Sequence, residues 1–234
     1  MAGQGIGVSL LRKEDDRLLR GRGEFVGDIR LPGMRDVAFV RSPLAHARIR
    51  AIRIPPQYRD SVFVAADLKD VKPIRAVSGL TGFKASDQPI LASDKVRQVG
   101  ELIAMCVADT RAEAEDIAAA VEVDFEELPA VHDMLLARQP GSALLHEHWG
   151  DNVFLETFVD VNMEAAYDAP IKISREISTA RQCMAPMEGR GTVAVWHNRM
   201  EQLVLHTGSQ LPHIVRNGLA ECLEQGAIDR VLRR

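Results

Sequence analysis

The chain has 234 residues, 46% hydrophobic and 26% charged, enough apolar material for one large core or two small ones. With 29 basic and 33 acidic residues its formal net charge is -4, and the basic residues do not gather into the patch that a general nucleic-acid binder needs. No run reaches the roughly 18 apolar residues of a membrane span, and the opening MAGQGIGVSLLRKEDDR lacks a secretory apolar core, so the expectation is a soluble, cytoplasmic protein.

Residues 1–24 are polar and glycine-bearing and read as an extended arm. Val37–Val40 predicts a short strand. His46–Ile54 alternates apolar residues with Arg48, Arg50 and Arg53, slips near its end and stops at Pro55-Pro56, which predicts a half-exposed strand with a solvated arginine face. Ser61–Ala65 predicts a further strand, and the mixed stretch 69–90 a loop. The apolar run Leu102–Val107 suits a buried strand. Thr110 and Glu113 then form a T-x-x-E capping box, and Ala114, Ile117, Ala118 and Val121 make one apolar stripe of a helix. From Val121 to Glu126 the period changes to two, which predicts a strand.

Arg138–Ser142 looks like a linker. Strands are expected near Phe154–Val161, Ile171–Ile177, Thr192–Trp196 and Gln202–His206, the last two joined as a hairpin through His197-Asn198-Arg199. A final helix is expected over Leu211–Leu223, with Pro212 in its first turn and Gly226 as its stop. The bare residues thus indicate a mixed α/β chain of two units.

Few residues announce chemistry. The glycine runs GQGIG and GRGEF do not complete a nucleotide-binding fingerprint. Cys106, Cys183 and Cys222 form no CxxC pair, so the spacing of a zinc site or iron–sulfur cluster is missing; Cys106 and Cys222 read as core, and two nearby methionines suggest packing for Cys183. His146-Glu147-His148 lacks metal-site spacing and reads first as solvated surface. His46 reads as a structural hydrogen-bonding residue. Gln210 sits between a strand and a helix start, in His206-Thr207-Gly208-Ser209-Gln210. Its amide could donate to an oxygen ligand at a helix N-terminus, or the segment could be a plain helix-start loop capped by Ser209.

Five segments in chain order carry a resemblance. They are Gly21–Ile29 (GRGEFVGDI), Arg41–Ile49 (RSPLAHARI), Val99–Glu101 continued by Ala108–Asp116 and Val123–Val131 (VDFEELPAV), Pro186–Glu188 with Gly191, and Thr207–His213 (TGSQLPH). Together they resemble the large subunits of molybdenum hydroxylases, the xanthine dehydrogenase and aldehyde oxidase family. Leu102 stands where the family usually has proline, and Gly208-Ser209 replaces the more common Ser-Thr.

The resemblance implies an α/β (α+β) fold: a hammerhead-like α/β domain over residues 1–140, then the incomplete start of a molybdopterin-binding α+β domain over 141–234. It implies a molybdenum ion on a pterin dithiolene, in the simple or cytosine-dinucleotide form, that oxidises aldehydes, N-heterocycles or similar small substrates. Electrons would pass to an iron–sulfur partner subunit and then to flavin or another acceptor. The partners expected are the remaining molybdopterin-binding part or subunit, an iron–sulfur subunit and a flavin subunit, in an oligomer, with no nucleic acid and no membrane. Gln210 aligns with the family glutamine that hydrogen-bonds near the molybdenum oxo ligand. Glu188 aligns with a family glutamate and is expected to be structural, near the site entrance. No catalytic and no metal-ligating residue is expected here, because the family's glycine-rich cofactor loop and general-base glutamate fall beyond Arg234. By itself the chain is expected neither to retain molybdopterin nor to turn over, either as a fragment or split subunit or, alternatively, as a truncated non-catalytic assembly module or relic.

Overall fold

A computed structural model describes residues 6–9, 11–159 and 161–223. Among them two compact units can be distinguished. The first draws on residues up to 32 and on 184–217, and the second on 33–183 and 218–223.

In the order of the chain, the elements are helix α1 (Asp15–Leu19), strands β1 (Asp36–Arg41), β2 (Ala47–Arg53), β3 (Val62–Val64), β4 (Ile74–Arg75), β5 (Asp87–Gln88), β6 (Lys95–Val96) and β7 (Leu102–Ala108), helix α2 (Arg111–Ala120), strand β8 (Glu122–Glu127), helix α3 (Glu164–Tyr167), strands β9 (Thr192–His197) and β10 (Gln202–Thr207), and helix α4 (Pro212–Cys222). The fold is a mixed α/β arrangement, as expected.

The second unit is organised by β7, which pairs antiparallel with β1 on one side and with β3 on the other. Its apolar run is buried at Ile103, Ala104, Cys106 and Ala108 and half-buried at Leu102, Met105 and Val107. Ala104, Cys106 and Ala108 point into one core with Ala114, Ile117 and Val121 of the α2 region, whereas Ile103 points into a second core with Ala47, Ala92 and Val96. Period-two alternation thus lets one strand serve two cores. Alanines where α2 meets the strands allow helix and sheet to approach closely.

The capping box forms as the spacing predicts. Thr110 Oγ1 accepts from Glu113 N–H at 3.3 Å, and a Glu113 carboxylate oxygen accepts from Thr110 N–H at 3.1 Å. The strands that flank α2 belong to different sheets, because β8 pairs with β2 in a sheet ordered β6-β2-β8. The slip in the alternation of β2 is a register shift between Ile49 and Ala51, a bulge at Arg50. The bulge keeps Arg48, Arg50 and Arg53 on the solvent side, where Arg50 pairs with Glu126, and Arg53 meets Glu122 at 3.9 Å and Asp124 at 3.5 Å.

Several expectations are corrected. The arm before residue 24 contains α1, and the loop 69–90 contains the two-residue ladder β4–β5. Phe154–Val159 and Ile171–Ile177 have the strand pattern but join no ladder among the described residues. The expected hairpin β9–β10 forms, with Gln202 opposite His197 and Thr207 opposite Thr192. The expected apolar face of α4 is only half-buried, with Leu211 and Ile214 exposed. Gly226 lies outside the described residues.

Candidate functional site

The candidate cofactor-binding segment belongs to the first unit. Strand β10 runs into the loop 208–211 and then into α4. The strand end is fixed by Thr207, whose Oγ1 donates to the Gly191 carbonyl at 2.9 Å. Ser209 Oγ accepts from Leu211 N–H at 3.1 Å, so a short side-chain turn aims the chain into the helix. Pro212 opens α4 where its missing N–H costs nothing, and the first helical bond there runs from Val215 N–H to the Leu211 carbonyl at 3.1 Å. The N–H groups of His213 and Ile214 therefore precede the helical ladder, at the partially positive end of the helix.

Gln210 is exposed on this loop. Beside it the backbone of Gly208 faces the Glu188 carboxylate: a Cβ built on Gly208 would lie 3.6 Å from Glu188 Oε1. The structure thus brings together two resemblance segments distant in sequence, Pro186–Glu188 and Thr207–Gln210. The arrangement offers a neutral amide and helix-start N–H donors without an acceptor among the described residues, with the Glu188 carboxylate at the flank. It suits an oxygen-rich ligand and supplies no nucleophile.

The other motif residues build the second unit. Arg41 Nη1 donates to the Gly100 carbonyl at 2.9 Å, Gly100 N–H to the Ser42 carbonyl at 2.8 Å, and Ser42 N–H to the Glu101 carbonyl at 2.9 Å. His46 is buried; its Nδ1 donates to the Pro129 carbonyl at 2.8 Å, and Leu128 N–H returns a bond to the His46 carbonyl at 2.9 Å. RSPLAHARI, VGE and the LPAV end therefore meet one another. Of the bonds in this joint those of Arg41 and His46 use side chains, and His46 takes a structural hydrogen-bonding place as expected.

His146-Glu147-His148 is not plain solvated surface. Glu147 accepts from the buried Lys95 at 2.7 Å, which holds its carboxyl down at about 2, and the His146 ring lies 4.3 Å from the Trp149 ring, where burial lowers the imidazole's basicity. A buried lysine paired with this loop was not legible in the sequence. Among the described residues no group of three His, Cys, Asp or Glu is placed to hold a metal ion. Cys106 is core, and burial pushes its thiol up; Cys222 is half-buried; Cys183 is exposed, as are Met184 and Met187, which corrects the packing expected around it.

Two families match along the chain. The aldehyde oxidase and xanthine dehydrogenase a/b hammerhead domain matches residues 20–129, and the molybdopterin cofactor-binding domain matches residues 145–228. The nicotine 6-hydroxylase large subunit of Paenarthrobacter nicotinovorans is 36% identical over 90% of this chain and 27% of its own length. The carbon monoxide dehydrogenase large chain of Hydrogenophaga pseudoflava is 32% identical over 87% of this chain and 27% of its own. The crystal structure of quinoline 2-oxidoreductase from Pseudomonas putida 86 superposes with a TM-score of 0.89 at 36% identity, over 99% of this chain and 30% of that one. The chain spans less than a third of the length of these relatives. On these matches, the chain belongs to the large-subunit family of the molybdenum hydroxylases, molybdopterin-dependent oxidoreductases, and corresponds to its N-terminal part.

Proposed function

We propose that this chain supplies the hammerhead domain and one wall of the cofactor pocket of a molybdenum hydroxylase that oxidises an aldehyde, an N-heterocycle or a similar small substrate. The domain boundary falls near residue 140, with a hammerhead-like domain before it and the molybdopterin-binding part after it. The observation that carries the reading is the loop 208–211, where an exposed neutral amide, Gln210, precedes a helix start whose first N–H groups meet no acceptor among the described residues.

The residues present fit the group. A metal carried by an organic ligand needs hydrogen-bond donors from the protein rather than a side-chain ligand set, and the loop offers donors. The bound molybdopterin would supply the two-electron redox chemistry. Gln210 would donate its amide N–H to an oxygen on the group. The N–H groups of His213 and Ile214 would favour negative charge beside it. Glu188, flanking Gly208, would limit how closely an anion approaches from that side. No residue of this chain is assigned as general base. The iron–sulfur and flavin partners, the oligomer, a pterin in the simple or cytosine-dinucleotide form and a cytoplasmic location belong to the same reading; no helix among the described residues is long and apolar enough to cross a membrane. A purely non-catalytic assembly role has no observation of its own in its favour.

The test is a Gln210→Ala substitution in this chain joined to the remaining part of the quinoline 2-oxidoreductase chain. A drop in retained molybdenum of about tenfold, the usual scale for losing an outer hydrogen bond to a metal group, is expected. Unchanged molybdenum content would remove Gln210 from the site.

A further inference from the structure

The turn 146–150 of the second unit clamps two rings together. The His146 and Trp149 rings lie 4.3 Å apart, centroid to centroid, with 31° between their planes, and His148 meets each of them edge-on at 5.9 Å. The stack joins the two ends of the bond that closes the turn, Trp149 N–H to the His146 carbonyl at 3.0 Å. Gly150 N–H then donates to the Glu147 carbonyl at 3.2 Å, and Gly150 ends the turn at φ 76°. Trp149 is anchored from outside: its Nε1–H donates to the Ala85 carbonyl at 3.3 Å, and Lys84, paired with Asp151 at 2.6 Å, donates to the Trp149 carbonyl at 3.4 Å. The His146 ring has no such anchor. Among the described residues none hydrogen-bonds it, and its ring contacts are those with Trp149 and His148.

The surroundings of that ring favour its neutral form. Burial is the largest cause, and the positive charges of Arg97, His148 and Lys95 add to it. Glu147 alone opposes them, and its carboxylate is already engaged by Lys95 at 2.7 Å, with Arg48 at 4.0 Å. Lys84 and Asp151, beside Trp149, offset one another. A cation over an indole face is attracted to it, but here burial and two fixed cations, Lys95 and Arg97, stand against that attraction. We propose that the His146–Trp149 stack is a pH-operated latch: a proton taken from solvent by the His146 imidazole expels the ring into water and removes the clamp on the turn. A group whose proton affinity is lowered in the closed form stabilises that form above its ordinary value, 6.5, and ceases to do so as pH falls below it. The near side of the turn stays fixed, because Lys95 keeps its bonds to the Leu144 and Leu145 carbonyls and the Glu147 carboxyl, held at about 2, stays ionised over this range. The latch lies at the start of the stretch matched by the molybdopterin cofactor-binding domain, residues 145–228, and does not depend on a bound cofactor.

The experiment uses the full chain with Trp196→Phe, which leaves Trp149 as its one indole. Fluorescence and amide hydrogen exchange are followed from about pH 8 to about pH 5, the interval in which an ordinary histidine titrates. Trp149 emission is expected to shift to longer wavelength in one step with a midpoint below 6.5, as water reaches the face that the ring leaves. In the same step the Trp149 and Gly150 amides should lose protection, measured against unstructured peptides at each pH, while β7 stays protected. Adding His146→Phe, which keeps a ring and lacks the proton site, should abolish both changes, and adding His148→Gln should leave both in place. A shift that survives His146→Phe, or that vanishes with His148→Gln, overturns the proposal. So does a midpoint at or above 6.5, which would mean that the stack holds the imidazolium as well as the imidazole. An emission shift without loss of amide protection, loss of β7 protection in the same step, or no shift at all overturns it equally.

Discussion

The ammonium of Lys95 donates to Glu147 Oε1 at 2.7 Å although only 2% of the lysine side chain is exposed. It also donates to the carbonyls of Leu144 and Leu145 at 3.1 and 3.2 Å. A buried ammonium is tolerated only with such partners, and this one ties β6 to the turn that carries Glu147. Lys95→Met fills the space but removes the donor from the Leu144 carbonyl and from Glu147 Oε1, while Arg97 Nε still donates to the Leu145 carbonyl at 3.3 Å. It is expected to lower unfolding free energy by about 1–3 kcal/mol in urea titration. No change in midpoint would show that water satisfies those acceptors equally well.

The same pair sets a pH dependence. Glu147 titrates near 4.5 when unfolded and at about 2 when folded, because Lys95 bonds and attracts its ionised form. A lowered acid contributes stability that is fully present above the unfolded value and fades as pH falls from about 4.5 towards 2. Half of the carboxylate side chain is wet, so solvent reduces the size of the effect. Thermal melts at stepped pH should show a smaller acid-side loss of Tm for Glu147→Gln than for the unsubstituted chain. Parallel curves would mean that other carboxylates govern the acid limb.

Thiol reactivity should follow burial. Cys183 is exposed and Cys106 fully buried, with its thiol raised by desolvation. Under native conditions an alkylating reagent should label Cys183 at least about a hundredfold faster than Cys106, which needs opening of the core. Peptide mass mapping gives the ratio, and early labelling of Cys106 would contradict the two-core account of β7.

Core and cap should separate in size. Ile103→Ala removes a fully buried side chain from the second core and is expected to cost about 2–5 kcal/mol. Thr110→Ala removes one arm of the capping box and should cost about 1 kcal/mol. Equal losses in denaturant titrations would be at odds with this ranking.

What could be read from sequence was local. The Thr110–Glu113 box and the Ala114–Ile117 stripe are written within one turn or two of the helix they build, and the hairpin is written in two strand patterns on either side of a short polar turn. The two-residue strand β6 has no period to read, and Lys95 looks like a surface residue until the turn carrying Glu147 folds onto it. At 171–177 the alternation specifies a face, while a ladder also needs a partner that no local pattern names. Cys183 failed for a related reason: neighbouring methionines indicate apolar character and not what they pack against. Gln210 was legible as a helix-start residue with an amide free to serve a ligand or to sit in a plain loop, and the resemblance of TGSQLPH favoured the first reading. Glu188 beside Gly208 could be placed there only by the structure.

The central claim is that this chain forms part of a molybdopterin site. The most direct measurement is the molybdenum and pterin content of the chain joined to the remaining part of the quinoline 2-oxidoreductase chain, purified from a host that makes the cofactor. About one molybdenum and one pterin per polypeptide are expected, by metal analysis and by fluorescence of the oxidised pterin. A folded joined protein that carries neither would contradict the claim.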